Sequence, residues 1–228
     1  MLLMLAVATG AVAQATTGIG FTLLVVPACA LLLDAGDVLG TVARLGLLVD
    51  LAVVYQGRHA LDLRLAGRYL VPAALAVPVA LVASALVPER GLVVAAATVT
   101  LAGGILLLRP DAIGRGRPVA AGFASGFLGV TVGMSGPPVA LDTARQGLSA
   151  DATRASLAAF FAVVDLTAAL VHPTAAGAGI TALLAAAAVV GLLAGHHLAR
   201  RVAGDEVRRG IAVLVVAGAL AALARVAL

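Results

Sequence analysis

The sequence predicts an all-α polytopic membrane protein, with about eight transmembrane segments in two homologous four-segment halves. Three observations carry that prediction. Hydrophobic residues make up 62% of the chain and charged residues 11%, less than half the ~25% charged share of a soluble domain. Mean hydropathy is +1.13, so lipid is the main solvent of this chain. The apolar runs recur with a regular partition, and the second group of four resembles the first.

The breaks rich in Arg, Asp, Pro and Gly leave apolar stretches at about 3–33, 38–57, 68–87, 91–109, 119–146, 152–172, 179–199 and 207–226. Most are near the ~20 residues that a helix needs to cross the hydrocarbon core. Residues 3–33 and 119–146 are too long for one straight span, and each has a glycine-rich interruption. They are therefore expected to be broken or re-entrant.

A shift of 115 places Gly18 on Gly133, Ile19 on Met134, Gly20 on Ser135, Phe21 on Gly136 and Asp50 on Asp165. A shift of 116 places "ATG" at 8–10 on "ASG" at 124–126, one residue of slippage earlier. The boundaries follow: a first repeat over 1–109, a basic linker over 110–118 and a second repeat over 119–228. The start, "MLLMLAVATGAVAQA", has no positively charged region of the kind that opens a signal peptide. Its mid-chain counterpart also argues for a membrane segment.

All 15 basic residues are arginine, which we read as compositional bias. No basic patch interleaves with aromatic residues, so nucleic acid is not an expected partner. With 5 Phe, 2 Tyr and no Trp, interfacial aromatic belts are thin. The single cysteine, Cys29, forms no internal disulfide, and no His/Cys cluster has metal-ligand spacing. No cofactor is expected.

If every segment crosses once, Arg58, Arg64, Arg68, Arg109, Arg115, Arg117 and Arg225 share one side. Arg90, Arg145, Arg154, Arg200, Arg201, Arg208 and Arg209 share the other, with Arg44 inside a span. On that assumption the positive-inside rule gives a tie. A single crossing by each broken segment makes the halves parallel; a segment that enters and returns makes them inverted.

Irregular backbone at membrane depth is tolerated only where protein buries it or a cavity is lined by it. A half-helix starting there offers free N–H groups and a positive dipole end, which suit an anion. Such starts are expected near Gly18–Phe21 and Ser135–Pro138, with Thr17, Gly18, Gly20, Gly133, Ser135, Gly136 and Pro137 as pathway candidates. The alternative role of these glycines is close helix approach.

Asp50 and Asp165 lie well inside apolar segments at matching positions. A carboxylate there takes a partner or a proton, so the pair either couples protons and lines a pathway or fixes helix packing. Arg44 precedes Asp50 by six residues, about 240° around a helix, and is a further anion-contact candidate. Arg154, Asp165 and His172 fall on one stripe of a helix over 152–172. Asp142 and Arg145 have the spacing of a local ion pair.

The stretch "GFASGFLGVTVGMSGPPVAL" (122–141), the linker "YQGRHALDLRLAGRYL" (55–70) and the closing "GHHLARRVAGDEVRRGIAVLVVAGAL" (195–220) together resemble the TauE/SafE family of sulfite exporters. The first half, "TTGIGFTLLVVP" (16–27), departs from the family in lacking a longer glycine run. The resemblance implies a multi-pass protein of the cell membrane that exports a small anion such as sulfite or an organosulfonate; with the paired aspartates, the expected driving force is protons or membrane potential. Two other readings stand beside it. One is a non-transporting membrane scaffold or assembly protein. The other is an intramembrane serine protease using Ser135, because Gly-Met-Ser-Gly has the Gly-x-Ser-Gly form of rhomboid-like proteases. That chemistry needs a histidine base within hydrogen-bond reach. The partners expected are a small anionic substrate and the lipid bilayer, and small-residue helix faces permit a homo-oligomer.

Overall fold

A computed structural model describes residues 1–88, 117–143, 146, 148–174 and 177–199, with isolated positions between 91 and 105 and at 213, 216 and 220. All regular structure among the described residues is helical. In chain order it comprises α1 (Leu2–Thr17), α2 (Phe21–Leu32), α3 (Ala35–Gly57), a 3-10 turn (Arg58–Ala60), α4 (Leu63–Leu86), α5 (Pro118–Val132), α6 (Gly136–Thr143), α7 (Ala150–Val171) and α8 (Ala178–Leu198). The stretches at 91–109 and 207–226, and all of the linker but Arg117 and Pro118, lie largely outside the described residues.

Local chemistry sets the boundaries. Gly18 ends α1 in the left-handed region (φ 79°), donating its N–H to the Gln14 carbonyl. Gly133 ends α5 the same way, at φ 71°. A residue with a Cβ resists that conformation, so glycine at both positions stops each helix inside the apolar segment. The Asp62 carboxylate caps α4 by accepting from the Arg64 and Leu65 N–H groups. The Ser149 hydroxyl caps α7 by accepting from the Ala152 N–H.

Helices α3, α4, α7 and α8 are long and apolar enough to cross a membrane. Helices α1 and α5 are apolar but have 16 and 15 residues, about 24 and 22 Å at 1.5 Å per residue. Large apolar side chains such as Leu75, Val79, Val190 and Leu193 face outward, as expected where lipid is the solvent.

Small residues show which way the helices run. Gly57 of α3 lies against Ala155, Gly46 against Asp165, and Gly40 against the His172 and Pro173 carbonyls, so α3 and α7 are antiparallel. On α5, Gly122 lies against Tyr69 and Gly126 against Ala73, so α5 runs parallel to α4. Helix α8 runs parallel to α1, with Gly191 on Ala8 and Gly195 on Val12. These are close backbone approaches: a Cβ at Gly126 would sit 2.6 Å from the Ala73 Cα.

The broken segments turn back. Gly10 of α1 packs on Phe21 and Val25 of α2, which requires a reversal at 18–20. Ser135 likewise returns to Gly129, and Asp142 at the end of α6 bonds to Tyr69, which also touches Gly122 near the start of α5. The single-crossing assumption behind the even arginine tally therefore does not hold. Among the described arginines, Arg58, Arg64, Arg68, Arg117 and Arg154 gather at one end of the bundle, and Arg44 alone lies toward the other.

The interior has two apolar clusters. Val7, Phe21, Val25, Val42, Val49 and Leu184 pack α1, α2, α3 and α8 together. Tyr69, Leu157, Phe160 and Val139 join α4, α6 and α7, with the Tyr69 and Phe160 rings edge to face at 6.0 Å.

Candidate functional site

The antiparallel contact of α3 and α7 brings Asp50 and Asp165 to one buried cavity. Gln14, Gly20, Ser135 and Gly136 also line it, so both breaks meet there. Asp50 is 2% and Asp165 6% exposed. The space open to the centre of a water molecule is about 10 Å³, room for about one water.

Each wall has a local cause. Gln14, in the last turn of α1, donates from Nε2 to Asp50 Oδ1 at 2.6 Å. Its Oε1 accepts from the Phe21 N–H at 3.4 Å, the first residue of α2. The Asp165 carboxylate lies directly over Gly46, where any side chain would overlap it. No hydrogen bond to Asp165 occurs among the described residues. Helices α2 and α6 both begin at this cavity, directing the positive ends of their dipoles into it.

The other sequence candidates lie apart from the cavity. Thr17 Oγ1 accepts from the Ile19 N–H at 3.3 Å and sits 2.9 Å from the Ala13 carbonyl, bracing the turn. Gly18 packs against Arg154, and Gly133 against Leu39 and Val26. Pro137 is buried without lining the cavity. Arg44 donates to the carbonyls of Gly40 (2.8 Å), His172 (3.1 Å) and Ala169 (3.2 Å), tying α3 to the end of α7.

Arg154 and His172, predicted on one stripe, hold opposite ends of α7 to the two breaks. Arg154 donates to the Ala15 and Thr16 carbonyls at 3.0 and 3.3 Å and pairs with Asp151. His172 Nε2 lies 2.8 Å from the Val130 carbonyl. Asp142 accepts from the Tyr69 hydroxyl at 2.7 Å and from Gln146 at 3.1 Å. Its expected partner Arg145 lies outside the described residues.

A second, larger cavity, with about 420 Å³ open to water-sized molecules, lies at the arginine end and is lined by Gln56, His59, Asp151, Arg154 and His196. Ala15 lines this outer cavity while Gln14 lines the inner one, so the end of α1 is the partition between them.

Sequence reasoning missed Gln14 and Gly46. Gln14 had a signal, an amide within an otherwise apolar run. Gly46 had none, because its role depends on which helix lies opposite.

The family model described as sulfite exporter TauE/SafE matches residues 2–222. No curated protein and no solved structure matches the chain.

Proposed function

Because the chain belongs to the sulfite exporter TauE/SafE family, we propose that it carries a small oxidised-sulfur anion, sulfite or an organosulfonate, across the cell membrane through the cavity between its two breaks. The observation that carries this reading is the convergence of Gly20, Asp50, Ser135, Gly136 and Asp165 on one buried space. Each of Gly20, Asp50, Ser135 and Asp165 has its counterpart in the other half at a shift of 115.

The two halves, 1–109 and 119–228 joined by the linker 110–118, are read as an inverted repeat. Supporting this, α3 and α7 carry equivalent aspartates and run antiparallel. The pairing of α5 on α4 mirrors that of α1 on α8. Inverted repeats suit alternating access, in which one half rocks against the other around a site near the midplane. The inner cavity is too small for sulfite as it stands, so the substrate enters by movement of the α1 end and its Gly18 turn away from Arg154. The outer cavity is then the approach from the arginine end.

What speaks against Ser135 as a protease nucleophile is its surroundings. Among the described residues no histidine lines the cavity that holds it, and His172 is engaged with the Val130 carbonyl.

The test is flux in proteoliposomes with sulfite, methanesulfonate and isethionate. Transport of at least one is expected, with loss of accumulation against a gradient in Asp50→Asn and Asp165→Asn. No flux of any of the three by the reconstituted, folded protein overturns the reading.

A further inference from the structure

We infer that anion and proton occupy the central cavity together, so that the protein moves both in the same direction. This rests on the reading above that the cavity carries the anion.

The charges facing the cavity come from every element around it, and they share one sign. Helix α1 contributes the neutral amide of Gln14, α2 contributes Phe21 and Thr22, and the α6 break contributes Ser135 and Gly136. Helices α3 and α7 contribute Asp50 and Asp165, and among the described residues no arginine or histidine lines the space. The cations nearest in sequence are already engaged. Arg44 holds the end of α7, Arg154 the end of α1, and His172 the end of α5.

An anion entering beside two ionised carboxylates meets a deficit that the helix ends do not cover. A helix N-terminus supplies at most about half a positive charge, and Pro137 and Pro138 remove two N–H groups from the start of α6, so α2 and α6 together offset at most about one of three negative charges. Protons on the aspartates remove the rest. A protonated carboxyl also reverses its role, because its O–H donates where the carboxylate only accepted. The group that repels the anion then binds it. Protonation and anion binding therefore favour each other, and reciprocity makes each raise the affinity of the other.

The transport consequence is symport. Exchange of anion for proton requires the two to compete for the protein, the opposite sign of coupling.

Methanesulfonate separates the protein's titration from the ligand's, because it is the anion of a strong acid and keeps its charge at every pH used. Its affinity for the purified wild-type protein is expected to tighten on acidification, by about tenfold per pH unit for each coupled proton. In proteoliposomes containing a pH-sensitive dye, a methanesulfonate gradient is expected to carry protons in the same direction. In Asp50→Asn/Asp165→Asn the pH dependence of methanesulfonate binding is expected to flatten, because neither amide titrates. Weaker binding on acidification, proton flow opposite to the anion, or a requirement for sodium in place of protons overturns the inference while leaving the transport reading intact. Absence of binding by methanesulfonate, isethionate and sulfite at every pH overturns both.

Discussion

Gln14 and Asp50 share a hydrogen bond of 2.6 Å that ties the last turn of α1 to the middle of α3. Because the Gln14 carbonyl also accepts from the Phe21 N–H, one side chain holds the break, the start of α2 and a buried carboxylate in register. Replacement by leucine strands the Phe21 N–H donor and an Asp50 acceptor beside a cavity with room for only about one water. Each stranded group costs about 1–3 kcal/mol. Gln14→Leu is therefore expected to lower the unfolding temperature in detergent and to abolish flux. Asp50→Asn keeps an acceptor for Gln14 Nε2, so it should unfold near the wild-type temperature while losing proton-coupled accumulation. Equal thermal losses in the two variants would show that the bond has only a packing role.

Gly46 makes the room for Asp165. A Cβ there would overlap the carboxylate, forcing the Asp165 side chain to another rotamer. Gly46→Ala is expected to cut transport by more than tenfold and to disturb the pH dependence of methanesulfonate binding. Gly36→Ala is the control, since nothing lies within 4 Å of that position. It should leave transport unchanged and be neutral or stabilising by up to ~1 kcal/mol, the ordinary helical preference for alanine.

The contrast between these two residues shows what the sequence could carry. Helix boundaries were legible because they depend on nearby residues: the expected span at 152–172 is α7 at Ala150–Val171, and the breaks fall at Gly18 and Gly133. The aspartates were legible because burial of charge in an apolar run is unusual in itself. Direction was not legible. Whether "TTGIGF" continues a helix or reverses it depends on what Gly10 packs against, and that is a contact between residues 10, 21 and 25. Arg44 was ambiguous for the same reason, since two of its three carbonyl partners are more than 120 residues away.

The turning glycines differ in what crowds them. Gly18 and Gly133 have φ values of 79° and 71°, a region that costs a residue with a Cβ roughly 1–2 kcal/mol. At Gly18 an added Cβ would also lie 3.0 Å from the Arg154 Cα, which is backbone and does not give way. At Gly133 the neighbours are the tips of Leu39 and Val26 at 3.2 Å, which can shift. Gly18→Ala should therefore be the more destabilising in thermal unfolding, and it should also slow flux by jamming the partition between the two cavities. A larger effect at Gly133 would remove that account of the partition.

Orientation follows from the turning-back of the broken segments. With Arg58, Arg64, Arg68, Arg117 and Arg154 at one end and Arg44 alone toward the other among the described residues, the positive-inside rule predicts that the arginine end faces the cytoplasm. On that prediction the outer cavity bearing His59 and His196 opens inward, the side from which the proposed export would take its substrate. Cys29 is the only cysteine and is buried, so Cys29→Ala provides a clean background. In it, His59→Cys is expected to react with a membrane-impermeant maleimide only in inside-out vesicles, and Gly177→Cys, at the opposite end, only in intact cells. The reverse pattern would put the arginine end outside and make the outer cavity an uptake mouth. Labelling of both positions from one side would instead return the broken segments to single crossings, and with them the parallel arrangement of the two halves.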